Sequence, residues 1–196
     1  FLVDREANGV SVTRTIMADS RNAANVKLDA VKVGNNALLG TADTAADILD
    51  QALDIARIGL SAEMLGGIQE CFERTVEYLK ERKQFGVAIG SFQALKHRAA
   101  DMFCEIELSK SCVLEALTAL DEQRDRDEVA KLASLAKAKV GETYNLVSRE
   151  GIQMHGGIGM TDEFDIGFFM KRAAVCRQAY GDYHFHADRF ATLRGY

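Results

Sequence analysis

The chain has 196 residues, 47% hydrophobic and 27% charged, with a formal net charge of −5. That balance describes a globular protein able to fill a core. An acidic excess without a basic block argues against a nucleic-acid partner. No apolar run approaches the ~20 residues of a membrane span, so no membrane partner is expected either.

Phe1-Leu2-Val3, Val10 to Thr13 and Val26 to Val33 are short β-branched runs, separated or followed by turn formers such as Asn8-Gly9 and Asn35-Asn36. They read as the last strands of a sheet whose remainder lies upstream. A chain that opens on Phe1 within such a run is expected to be a piece of a longer polypeptide. From Ala45 the period changes. Ile48, Ala52, Ile55, Leu60, Met64, Ile68, Phe72, Val76 and Leu79 recur at threes and fours to Lys80, predicting one long helix capped by Asp43 or Thr44. Gly66 and Gly67 inside it each cost roughly 1 kcal/mol, which predicts a close helix contact there.

A second helix is predicted from Ser91 to Leu120, a third from Asp127 to Met154, a fourth from Glu163 or Phe164 to Gln178, and a short fifth from Asp182 to Leu193. Between the second and third lies a charged break, Asp121 to Asp127, read as a solvated turn. Long helices with short connections predict an all-α, up-and-down four-helix bundle with a small β remnant at its N-terminus. Cys71, Cys104, Cys112 and Cys176 form no C-x-x-C pair and are read as reduced thiols in a cytoplasmic compartment.

Two segments carry the chemistry. Arg82-Lys83-Gln84-Phe85-Gly86 closes the first long helix. Arg82 offers a planar guanidinium suited to phosphate oxygens, and Phe85 a flat apolar face beside a glycine. Gln153-Met154-His155-Gly156-Gly157-Ile158-Gly159 ends the third helix. Its glycines fit either a helix C-cap or the close approach of a ligand or second chain. They are not a Rossmann fingerprint, because no strand precedes them and the third glycine of that motif is missing. Read only as helix caps and charged helix ends, the same features describe a helical interaction module without a cofactor.

In this order and between long helices, the two segments resemble those of the acyl-CoA dehydrogenase family. The resemblance implies that residues 1–40 are the end of a middle β domain and residues 41–196 a C-terminal helical bundle. It implies FAD as cofactor, held by Arg82, Gln84 and Phe85 on one side and by Gln153, Gly156 and Gly157 on the other, the two sides coming from different subunits. By the same resemblance, His184 falls beside the FAD adenosine. The implied reaction is α,β-dehydrogenation of an acyl-CoA thioester: a carboxylate removes the α-proton while the β-hydrogen leaves as hydride to the flavin. The implied assembly is a homodimer or homotetramer, or a heterotetramer with a related subunit, passing electrons to an electron-transfer flavoprotein-like acceptor.

The family's catalytic glutamate is missing from both of its usual places, which here are Tyr180 and Ala56. A tyrosine, with a reference pKa of ~10, is a poor base near neutral pH. The base is then a carboxylate elsewhere in the chain or one that a partner subunit supplies. Asp182 is the nearest carboxylate and the candidate catalytic residue, with an N-cap of the last helix as its other reading. Asp54 and Arg57 lie at positions near the substrate side of the family or form a surface salt bridge. Asp182, His184, His186 and Asp188 are spaced at helical intervals, but without Glu-x-x-His pairs no metal is expected.

Overall fold

The computed structural model describes residues 1–196. Its contacts divide the chain into two compact units, Phe1–Ala52 and Leu53–Tyr196. In the first unit, β1 (Val10–Ile16) and β2 (Asn22–Leu28) form an antiparallel hairpin, with Val10 opposite Leu28 and Ile16 opposite Asn22. Two predicted strands change. Phe1–Val3 is not a strand. The run predicted over Val26–Val33 pairs only as far as Leu28, because Asn22 to Val26 supply the ladder and Ala30, at φ +51, turns the chain away. The β-branched pattern marked the right neighbourhood and missed the register, which the partner strand sets. At the start of the first helix, the Thr44 hydroxyl donates to the Thr41 carbonyl at 2.8 Å.

The helices are α1 (Ala45–Glu81), α2 (Gln93–Asp121), α3 (Arg126–His155), α4 (Ile166–Gln178) and α5 (Tyr183–Leu193). They make the all-α, up-and-down bundle expected, with α5 added to its four main members. At 37 residues, α1 is about 55 Å long. Met64, Ile68 and Cys71 of α1 meet Met102 and Ile106 of α2, Val140 and Val147 of α3, and Ile166 and Cys176 of α4 in one core cluster. The central member is α3, which packs against α2, α4 and α5. Its small residues Ala133, Ala136, Gly141 and Ser148 are buried and let neighbours approach from more than one side.

The paired glycines of α1 divide their roles. A Cβ on Gly67 would stand 2.5 Å from the Tyr144 hydroxyl of α3, the close contact their cost predicts, whereas a Cβ on Gly66 would meet nothing within 4 Å. Buried polar side chains are satisfied inside the bundle: Thr75 donates to the Cys71 carbonyl at 2.7 Å, and Ser109 to Thr143 at 2.9 Å. Burial pushes the Cys71 thiol up to about 12, which makes it a packing residue rather than a nucleophile. No helix is long and apolar enough to cross a membrane.

Candidate functional site

The segment after α1 folds into a structure the helical pattern did not predict. Lys83–Gln84 (β3) pairs with Val87–Ala88 (β4), leaving Phe85 and Gly86 as a two-residue hairpin loop. Both loop residues sit at positive φ, +54 and +81, as the tight primed turns require. Gly86 takes that conformation freely, while Phe85 takes it at a cost of roughly 1–2 kcal/mol. The strain presents the Phe85 ring to the outside: it is 91% exposed, touching Phe92 edge-on at 6.1 Å. A bulky residue in a strained, exposed position points to a role outside the fold. Because the hairpin occupies Lys83–Ala88 and a 3-10 turn Ile89–Ser91, α2 starts at Gln93 instead of Ser91.

At the other segment, α3 ends on His155, and Gly156 at φ +66 turns the chain into a short 3-10 stretch, Gly156–Met160. A Cβ on Gly156 or Gly157 would meet nothing within 4 Å. The backbone of the pair therefore lies open to an approaching group, beyond what a C-cap needs. His155 is buried; its Nδ1 bonds the Gly151 carbonyl at 2.7 Å, and its ring stacks on Tyr78 at 4.2 Å.

Arg82, Gln84, Phe85, Gln153, Gly156 and Gly157 all line one cavity of about 430 Å³. The two segments thus meet within a single chain, which corrects the expectation that they come from different subunits. The bundle brings them together directly: α1 and α3 end side by side, and Tyr78, one turn before the end of α1, donates to the His155 carbonyl at 3.3 Å. Tyr78, Phe92, Arg98 and His155 also line the cavity. Sequence reasoning assigned them no role, because Phe92 fits an apolar helix face, Tyr78 and Arg98 belong to no motif, and His155 stands inside the glycine segment without being singled out there. His155 alone had a signal, since it directly precedes the glycine pair. His184 is not in this group; it lies exposed on the first turn of α5, with its ring 5.4 Å from that of Tyr183.

The turn between α4 and α5 is built differently. Tyr180, at φ +59, accepts hydrogen bonds on its carbonyl from Arg57 Nε at 3.2 Å and His186 Nε2 at 3.1 Å. The next carbonyl, of Gly181, accepts from Lys137 Nζ at 3.0 Å. Asp54 pairs with Arg57 at 2.8 Å and takes both terminal nitrogens of Arg189, at 2.8 and 2.9 Å. Asp54 and Arg57 are each 4% exposed, so theirs is a buried network and not a surface salt bridge. Burial, followed by the charges of Lys137 and Arg57, lowers His186 to about 4. Burial likewise lowers Lys137 to about 8. Asp182 caps α5: its Oδ1 accepts from the Phe185 N–H at 2.9 Å. That bond holds its carboxyl below the usual carboxylate range, the opposite of what a base working near neutral pH needs. Ala56 offers no titratable group at the family's other position.

The acyl-CoA dehydrogenase C-terminal domain profile matches residues 46–191. The chain is similar to acyl-CoA dehydrogenase IpdE2 of Mycobacterium tuberculosis, at 42% identity over 61% of this chain and 35% of that protein. It is similar to the caffeyl-CoA reductase–Etf complex subunit CarC of Acetobacterium woodii, at 30% identity over 85% of this chain and 44% of that protein. Among solved structures, a variant of the Tcur3481–Tcur3483 steroid ACAD superposes on all of this chain and 51% of its own, with a TM-score of 0.85 and 33% identity. The chain therefore spans about half, or less, of the length of these relatives. With a profile match over most of its length, the chain belongs to the acyl-CoA dehydrogenase family.

Proposed function

We propose that this chain is the C-terminal part of an FAD-dependent acyl-CoA dehydrogenase that oxidises the α,β bond of an acyl-CoA thioester. In that reading residues 1–40 close a middle β domain and residues 41–196 form the helical domain. The observation that carries it is the single cavity lined by Arg82, Gln84, Phe85, Gln153, Gly156 and Gly157. The residues fit a dinucleotide: an exposed guanidinium for the pyrophosphate, an uncovered ring for an aromatic face, and a glycine pair with no Cβ between backbone and ligand. At about 430 Å³ the cavity suits the nucleotide portion of FAD and leaves the flavin ring to other parts of the assembly. When bound, FAD supplies the hydride acceptor. The chain's own part is to hold the nucleotide and, through Arg82, to neutralise phosphate charge.

Because Phe85 and the glycine pair are open to the outside, a second subunit is proposed to close the site, in a homodimer or homotetramer. An electron-transfer flavoprotein-like protein is the proposed acceptor, in keeping with the Etf complex for which the CarC relative is named. The α4–α5 turn favours a second version of this reading. With Tyr180 and Ala56 at the usual glutamate positions and Asp182 committed to a helix cap, the α-proton is taken by a carboxylate of another subunit in a mixed assembly. The Tcur3481–Tcur3483 relative carries a paired name of the kind such an assembly would have.

A visible-absorbance scan of the intact protein tests the first claim, with bound flavin near one per chain expected. Its absence from the full-length, assembled protein would remove the flavoprotein reading. Anaerobic mixing with a panel of acyl-CoAs tests the second. Bleaching of the flavin in the protein purified alone would show that no partner carboxylate is needed.

A further inference from the structure

His155 has an orientation that the nucleotide reading does not use. Its ring is held on several sides: stacked on Tyr78 at 4.2 Å, set against Phe164 at 5.6 Å, and tied through Nδ1 to the Gly151 carbonyl at 2.7 Å. A carbonyl oxygen can only accept, so Nδ1 carries the hydrogen and, in the neutral ring, Nε2 is left as an acceptor. Burial lowers the imidazole below its ordinary value of 6.5, which keeps the ring neutral at pH 7. Every buried side-chain nitrogen and oxygen of the protein has a hydrogen-bond partner. Nε2 has none within the chain, so it borders open space, and His155 lines the cavity shared by Arg82 and Gln153. The arginines of that cavity, Arg82 and Arg98, are donors only, and the Tyr78 hydroxyl is already spent on the His155 carbonyl. A fixed acceptor beside such donors suits the part of a nucleotide that carries N–H or O–H groups.

We propose that His155 is a specificity-determining residue of the cavity, its Nε2 accepting a hydrogen bond from the donor-bearing nucleoside end of the cofactor, either the adenine amino group or a ribose hydroxyl. This rests on the nucleotide reading given above and extends it: Arg82 takes the phosphates, and His155 reads the nucleoside. The ring contacts with Tyr78 and Phe164 fix the angle from which that donor must come. His155 also borders a second cavity, lined by Glu77, Glu81, Glu163 and Asp165. If Nε2 served that side, nucleotide binding would not depend on it.

The test measures binding of FAD and ADP to the full chain stripped of flavin, by titration calorimetry. Three ADP analogues follow, lacking in turn the 6-amino group, the 2′-hydroxyl and the 3′-hydroxyl. The analogue missing the donor that His155 reads is expected to bind about five- to tenfold more weakly than ADP. His155→Phe keeps a ring against Tyr78 and is expected to erase that one difference, while His155→Gln restores part of it by returning an acceptor. Equal binding of all three analogues to the parent overturns the proposal without any variant being made. Unchanged discrimination in a folded His155→Phe overturns it as well. A parent protein that binds neither FAD nor ADP removes the nucleotide reading itself, and the role of His155 with it.

Discussion

The two ends of the bundle use the same kinds of residue to opposite effect. At the α1–α3 end, Arg82 and Phe85 stand exposed and Gly156 and Gly157 face open space. At the α4–α5 turn, Arg57, Lys137 and His186 are buried and aimed at the carbonyls of Tyr180 and Gly181, with Asp54 balancing the arginines. One end has donors left over for a ligand, and the other has committed its donors to its own backbone. Polar side chains near a candidate site are therefore not interchangeable evidence of chemistry. What decides is whether their hydrogen bonds are already made.

The sharpest way to break this contrast is to unbalance the buried end. Asp54→Ala would leave Arg57 and Arg189 facing each other without their shared carboxylate. A destabilisation of about 3–5 kcal/mol is expected, read by urea unfolding of the intact protein. Arg82→Ala at the open end is expected to do the reverse. Unfolding would hardly move, while FAD affinity would fall about 10- to 100-fold, from the loss of one charge-assisted hydrogen bond of roughly 1.5–3 kcal/mol. A urea midpoint that shifts as far as that of Asp54→Ala would show that Arg82 belongs to the fold.

The buried end should also be the pH-sensitive one. His186 lies at about 4 in the folded chain against an ordinary 6.5, so between those values the unfolded chain binds more protons than the folded one. Its contribution to stability is present above pH 6.5 and declines as pH falls toward 4. Thermal melts across that range are expected to lose part of this slope in His186→Asn. An unchanged slope would reject the assignment. The smallest effect on stability is expected for Phe85→Gly. Relief of roughly 1–2 kcal/mol of backbone strain offsets the aromatic contact with Phe92, worth roughly 0.5–1.5 kcal/mol. Flavin affinity should nevertheless drop, and a variant that keeps full affinity would mean that the exposed ring does not serve the cofactor.

The helices were legible because each is long and its apolar spacing is repeated many times. The predicted end of α1 at Lys80 falls one residue from the observed Glu81. Short elements were not. The hairpin over Lys83–Ala88 has only two residues to a strand, too few for a period, and its loop places a phenylalanine where turn rules favour Asn or Gly. In the first unit, β2 carries Asn22, Ala23 and Ala24, which have no β signature and are strand only because Ile16, Thr15 and Arg14 stand opposite. The two segments that line the shared cavity could be picked out by residue type. Their neighbours Tyr78 and Arg98 could not, since each lies on a helix and belongs to no motif, whereas His155 had the signal of directly preceding the glycine pair.

By itself the sequence determined the helical class, the number and approximate extent of the helices, and the chemistry available at the two segments, because these depend on local spacing and side-chain type. Tertiary structure decided that the segments share one cavity within one chain, since that depends on which helix ends lie side by side. It also decided that Asp54 and Arg57 are buried partners and that Asp182 caps a helix. A carboxylate's role is set by the donors around it, and for Asp54 those donors come from α1 and α5, whose meeting no local pattern encodes.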